Sequence, residues 1–380
     1  MSDTLLQYLK RPNPKVDSSW SLRDGPSATP SKSTNSYKSH DKYHLNDVME
    51  WKSIGWKGDL EKVFGDILKL PVSSMPRFDD WLQYPPHLKE IHDENSLDTF
   101  LGRWNYPVVS TALSIAQNRT NTTNAFHLSS EVSIARGGQA WIPLGSRHGN
   151  LQKGQEEQNE MQHTEQEMKK DGRQDKTVYP DWAGILLDDE ENQMPGEGAQ
   201  LNTRHYRNIL PGDTKLSTKF RSEWKWETRQ FRGPIIQIFT YCRRANVPYG
   251  YIITQEELVM VHLFREGPKM TKLNLEYKSI PWTNSGDDEL TVNLVLWCLH
   301  MLAARKRPIS GRRKIVSEYC QPSGSASQIR GLESDVPSGT ASDVTMPSDA
   351  DVPYGSFKRD PLEELVPCRR SKRSKHLEKR

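Results

Sequence analysis

At 380 residues the chain has room for one large domain or two small ones. Its formal net charge of +3 is too small for binding nucleic acid by bulk charge, and no apolar run reaches the length of a membrane span. The four cysteines (Cys242, Cys298, Cys320, Cys368) lie far apart, with no CxxC pair and no histidine at ligand spacing beside them, which argues against structural zinc and a disulfide framework and for a reducing compartment.

Residues 1–45 are rich in Ser, Pro, Lys and Asp and are expected to be disordered. Leu5, Leu6, Tyr8 and Leu9 could form one apolar helical turn, but at a chain end fraying is the expectation. The same stretch, MSDTLLQYLKRPNP, is too short in apolar residues for a signal peptide. Residues 46–93 read as a helical lead-in that packs on the core, since Leu60, Val63, Phe64, Ile67 and Leu68 fall at helical spacing before Pro71 and Pro76. Asn95 or Ser96 is the expected cap of the next helix, which carries Leu97, Phe100, Leu101 and Trp104. VVSTALSIAQ, after Pro107, continues as a buried helix, and AFHLSSEVSIA reads as a first strand or hairpin.

Two polar insertions follow. Residues 148–175 hold almost no large apolar side chain and are expected to be a flexible insertion. The second, near 188–200, contains DDEENQMPGEG, whose acids are expected to be solvated loop residues and not ligands. Around the second insertion lies the stretch that organises the chain, 176–264. KTVYPDWAGIL reads as a strand with an acid on or beside it, RNILPGDTKLSTKF as a strand bearing an acid and a lysine, PIIQIFTYCRRA as a helix, and YGYIIT and LVMVHLF as two buried strands. DDELTVNLVLWCLHMLAARKRP follows as a helix with acids at its start and bases at its end, too apolar for a single stripe and hence well buried. Residues 309–380 are low in complexity and expected to be disordered, ending in a basic tail. The last twelve residues, RRSKRSKHLEKR, hold seven Lys/Arg and one Glu, so without them 45 basic residues face 48 acidic ones. Such a tail reads as a nuclear-import signal or a loose nucleic-acid tether, and equally as a solubilising end.

The chemistry concentrates in the organising stretch. Asp213 and Lys215 are two residues apart, so on a strand they share one face while Thr214 points the other way. If the strand at Asp181 pairs with the strand at Asp213, two carboxylates and an ammonium meet. Two carboxylates suit Mg²⁺, a hard cation that keeps several of its waters. Gln237 and Tyr241 are four apart and share a helical face. From 215 to 244 there are eight basic residues (Lys215, Lys219, Arg221, Lys225, Arg229, Arg232, Arg243, Arg244) against two acidic ones, which is a phosphate-facing patch or ordinary surface charge scatter. The plainer alternatives are open at this point: PGD is a good turn former that could make Asp213 a hairpin cap, and Gln237 and Tyr241 could be half-buried helix positions.

PD at Pro180 and Asp181, then D-x-K at Asp213 and Lys215, then Q-x-x-x-Y at Gln237 and Tyr241, resembles the PD-(D/E)XK nuclease superfamily, in its RecB-like branch. The text around them, PGDTK with QIFTYC and YGYIIT, is similar to the PD-(D/E)XK nuclease-like domain of uncharacterised fungal proteins, over residues 94–308. The resemblance implies an α/β, restriction-endonuclease-like core, a central mixed sheet flanked by helices. It implies a nuclease that hydrolyses phosphodiester bonds with Mg²⁺ or Mn²⁺ and acts on nucleic acid, DNA ahead of RNA. The sequence itself points to no membrane and to the nucleus or cytoplasm, with the basic tail favouring the nucleus. Asp181 and Asp213 would be metal ligands with the Thr214 carbonyl as a third, Lys215 the catalytic lysine, and Gln237 and Tyr241 would orient the site or touch the nucleic-acid backbone. Glu94 is the candidate for the glutamate that the family carries on an early helix. A degenerate nuclease fold serving as a nucleic-acid- or protein-binding module is the alternative.

Overall fold

The apolar strands of the middle of the chain pair into a seven-stranded mixed sheet, and helices cover both of its faces. The computed structural model describes residues 3–17, 45–72, 85, 87, 89–120, 130–137, 140–141, 180–187, 193–195, 204–224, 228–267, 272–305, 308–312 and 315. The chain divides into two units, Met1–Ser323 and Gly324–Arg380, and the second lies wholly outside the described residues, as do the insertion at 148–175 and the basic tail.

The strands are β1 (Asp47–Glu50), β2 (Val132–Arg136), β3 (Ala140–Trp141), β4 (Trp182–Leu186), β5 (Gln193–Pro195), β6 (Arg204–Arg207), β7 (Leu210–Thr214), β8 (Tyr249–Ile253), β9 (Glu257–Glu266) and β10 (Lys272–Pro281). The helices are α1 (Leu5–Leu9), α2 (Glu61–Leu68), α3 (Glu94–Arg103), α4 (Asn105–Thr120), α5 (Arg229–Ala245) and α6 (Val292–Ala303). The large sheet runs β1-β10-β9-β8-β7-β4-β2. Within it β2, β4 and β7 form an antiparallel meander, and β8 joins β7 in parallel after the α5 crossover. β9 and β10 continue antiparallel, and β1 lies parallel to β10 at the far edge. A small sheet, β3-β6-β5, packs on the large one where Ala140 and Tyr206 meet Ala135, Ala183 and Ile185 of β2 and β4.

Strand side chains alternate between faces, and here the alternation divides the core. Tyr249, Tyr251, Ile253, Leu258 and Met260 join the cluster built with α1, α2, α3, α4 and α6. Ile252, Val259, Val261 and Leu263 join the cluster under α5, with Phe231, Ile235, Ile238 and Phe239. All twelve residues of α6 are buried, as its unbroken apolar content predicts. The sheet is thus the middle layer of three.

Several expectations need correction. Residues 3–17 do not fray: Leu5, Tyr8 and Leu9 are wholly buried, and Leu5 N donates to Leu70 O at 2.8 Å. The lead-in is not only helical, since Asp47–Glu50 adds an edge strand through its parallel pairing with β10. Asp93, not Asn95 or Ser96, caps α3, and Ser96 is its reciprocal partner in a capping box. Thr291 caps α6, so Asp287, Asp288 and Glu289 precede the helix and do not open it. Residues 193–195 of the second polar insertion are a strand that pairs with β6. β10 was not foreseen. Cys242 and Cys298 are free and buried. Among the described residues no helix is long and apolar enough to cross a membrane.

Candidate active site

The site forms where β7 ends, between β4 and β8. PGDTK is not a turn here. Pro211, Gly212 and Asp213 lie within β7, so the hairpin-cap reading of Asp213 does not hold. The pairing with β8 begins at Gly212, one residue past Pro211, where the imide costs the ladder no N–H. Gly212 is required by packing: a Cβ there would stand 2.2 Å from Cζ of Tyr251 on the neighbouring strand. Lys215 N donates to Ile253 O at 3.0 Å, which keeps the backbone extended one residue beyond the strand.

That extension puts Asp213 and Lys215 together on the α5 side. The Lys215 ammonium forms an ion pair with Asp213 Oδ2 and donates to the Thr214 carbonyl at 3.2 Å. From α5, Gln237 Nε2 donates to Asp213 Oδ1 at 3.1 Å and lies 2.7 Å from the Tyr241 hydroxyl. These four side chains are buried, so Gln237 and Tyr241 are not half-exposed helix positions. Thr214 turns to the opposite face, as strand parity predicts. Its hydroxyl donates to Asp98 Oδ1 at 3.0 Å and accepts from Trp182 Nε1 at 2.9 Å.

Asp181 sits exposed immediately before β4, at its start. Its Oδ2 accepts from Thr214 N at 2.9 Å, which holds the carboxylate against the end of β7. Glu94 opens α3, and its carboxylate pairs with Lys219 Nζ at 3.2 Å after the chain turns back at Leu216. The negative charges of Asp181 and Glu94 both bear on Asp213 and Lys215. All six residues singled out for chemistry, together with Thr214, are therefore gathered in one place.

Burial pushes the Asp213 carboxyl up to about 7, with the Lys215 ammonium pulling against it. For Lys215 burial opposes the charge, but Asp213, Asp181 and Glu94 outweigh it and hold its pKa above the ordinary value. Burial, then the Asp213 charge, raises the Tyr241 phenol.

Asp98 escaped the sequence reading. It lies one turn after Glu94 on α3, and that spacing of four was the available signal. Burial raises its pKa, partly offset by the Thr214 hydrogen bond. The basic run also proves divided. Lys215 is paired with Asp213, Lys219 with Glu94, and Arg221 with Glu223 and Glu256, while Lys225 lies outside the described residues.

The donor set fits a hard divalent cation. Asp181, Asp213 and the Thr214 carbonyl offer only oxygen. Asp213 Oδ2 and Glu94 Oε1 are buried, and each is met by a lysine ammonium, Lys215 and Lys219 in turn. Among the described residues no three His, Cys, Asp or Glu side chains stand together as a metal-holding group, so such a set would have two carboxylates and a carbonyl. The Lys215 ammonium bridges two of these three donors and is the cation at the site in this structure. No family model matches this chain, and neither does any curated protein or solved structure.

Proposed function

We propose that the chain has a restriction-endonuclease-like core and acts as a metal-dependent nuclease on phosphodiester bonds of nucleic acid, DNA ahead of RNA. The observation that carries this reading is the meeting of Asp181, Asp213, Lys215 and Gln237 at the end of β7, with Tyr241 behind them. The order α3, an antiparallel meander of β2, β4 and β7, then α5 and a parallel β8, supports the same reading.

In that role Asp181, Asp213 and the Thr214 carbonyl would hold Mg²⁺ or Mn²⁺. Such a cation, when bound, lowers the pKa of a water and offsets charge on a phosphoryl oxygen. Gln237 fixes one oxygen of Asp213 and leaves Oδ2 to face the site. Thr214 N keeps the exposed Asp181 carboxylate aimed at the same spot. Lys215, released from Asp213, would orient the attacking water or stabilise the charged phosphate in the transition state. Glu94 keeps Lys219 beside the site, where it could meet the phosphate backbone.

One observation favours the alternative, a degenerate nuclease fold used for binding: Lys215 already satisfies Asp213 Oδ2 and the Thr214 carbonyl, as a resident cation would. Titration with Mg²⁺ and Mn²⁺, with and without an oligonucleotide, decides between them. The nuclease reading expects metal binding that disappears in a folded Asp181→Asn, Asp213→Asn variant. Metal binding absent even with oligonucleotide present would leave the binding module. Any cleavage must also fall when Lys215 becomes Ala. The basic tail supports nuclear residence, which a tail-deleted fluorescent fusion would test.

A further inference from the structure

A pocket of about 350 Å³ opens beside Asp98 and the start of β4, lined by Thr99, Gly102, Arg103, Tyr106, Arg136 and Trp182. Two of these residues are arginines and none is acidic. Arg136 is held in an unusual way for a half-exposed side chain. Its guanidinium lies over the Trp182 ring at 5.3 Å, its Nη2 donates to Asp98 O at 3.0 Å, and its Nη1 is 3.6 Å from Asp98 Oδ2. Fixing a long side chain costs rotamer entropy, and these three contacts offset that cost before any ligand arrives. Gly102 makes the arrangement possible, since a Cβ there would lie 2.9 Å from Arg136 Nη2.

The pocket is linked to the candidate site by two side chains. Asp98 carries Arg136, and Asp98 accepts from Thr214, whose N–H holds Asp181. A flat, ordered guanidinium with an aromatic ring behind it is a surface on which a nucleobase stacks. Arg103 at the rim supplies a phosphate partner.

We propose that this pocket takes an unpaired nucleobase of the substrate strand, stacked on Arg136, with its phosphate toward Asp181 at the start of β4. This rests on reading the chain as a nucleic-acid hydrolase, and it makes the substrate single-stranded or splayed at that nucleotide. The shared ligand chemistry is a nucleotide, deoxy or ribo, and adenine serves as the probe base.

The test is titration of the full chain in EDTA with deoxyadenosine 5′-monophosphate, adenosine 5′-monophosphate and inorganic phosphate. At least one nucleotide is expected to bind more tightly than phosphate. Arg136→Ala and Gly102→Leu are each expected to weaken that nucleotide about tenfold, the size of one lost stacking contact. Gly102→Leu fills the pocket from a helix that gains propensity by the change, so it guards against misfolding of the arginine variant. The proposal is overturned if neither nucleotide outbinds phosphate, or if Gly102→Leu binds as the wild type does. The Asp181→Asn, Asp213→Asn variant separates the two readings, because it should lose metal and keep the nucleotide. Metal bound without nucleotide sinks the pocket alone, and nucleotide bound without metal sinks only the hydrolase.

Discussion

Gln237 Nε2 donates to Asp213 Oδ1 at 3.1 Å, tying the middle of α5 to the end of β7. The same nitrogen lies 2.7 Å from the Tyr241 hydroxyl, so one amide orients an acid and a phenol in a dry environment. Gln237→Met keeps the length and removes the donor. Leaving a buried acceptor short of its partner costs about 1–3 kcal/mol. Urea unfolding of that variant should show a loss in this range, and unchanged stability would mean that the bond holds nothing in place.

The Asp213–Lys215 pair is nearly closed off from water, with side chains 2 % and 9 % exposed. Removing one partner of a buried pair strands the other charge and costs about 3–5 kcal/mol, whereas removing both is often close to neutral. Lys215→Met should therefore unfold at much lower denaturant, and Asp213→Asn added to it should recover most of the loss. Mg²⁺ should stabilise Lys215→Met more than it stabilises the wild type, because the ammonium no longer lies on Asp213 and the Thr214 carbonyl. A denaturant series on the wild type and these two variants, with and without Mg²⁺, checks both statements.

What was legible in the sequence follows from how local each signal is. β7, α5, β8 and β9 were readable because apolar runs of strand length alternate with a helix-length run, and the shared face of Asp213 and Lys215 needs only strand parity. Glu94 was reached through resemblance, but Asp98 was not, because a mid-helix acid reads as a solvent face until Thr214 is known to meet it. β10 hid for a related reason. Its Glu276 looks like a surface residue, yet it is buried against His262 at 2.9 Å on the neighbouring strand and Arg312 at 2.9 Å from beyond α6. α1 is only five residues long, and nothing local says that the core will cover it.

His300 lies wholly buried in α6, and burial lowers its pKa from 6.5 to about 4. Its Nδ1 lies 2.7 Å from Leu296 O, while Nε2 has no partner. Between pH 6.5 and 4 the unfolded chain binds a proton that the folded chain refuses, so stability falls as pH drops through that window. The full effect, reached below the folded value, is about 3 kcal/mol at ~1.4 kcal/mol per pH unit. His300→Leu removes this contribution. Its stability relative to the wild type should improve steadily from pH 7 to pH 4 in parallel denaturation curves, and a constant difference would show that His300 is not titrating in the core.

The N-terminal arm offers the last test, because it reaches the site through packing. Asn13 Oδ1 accepts from Trp104 Nε1 at 3.0 Å, Asn105 Nδ2 at 3.3 Å and Asn293 Nδ2 at 3.1 Å. Its own amide donates to Trp282 O at 3.3 Å. One side chain thus clamps the junction of α3 and α4 onto α6. α3 carries Glu94 and Asp98, so the clamp also sets the distance between that helix and the end of β7. Asn13→Ala removes all four bonds at a buried position and should cost about 2 kcal/mol or more. A change within ~0.5 kcal/mol, as for a surface substitution, would show that the arm is only resting on the core. If the clamp acts as described, amide exchange in α3 should also speed up in Asn13→Ala, and exchange in β9 should follow global stability alone.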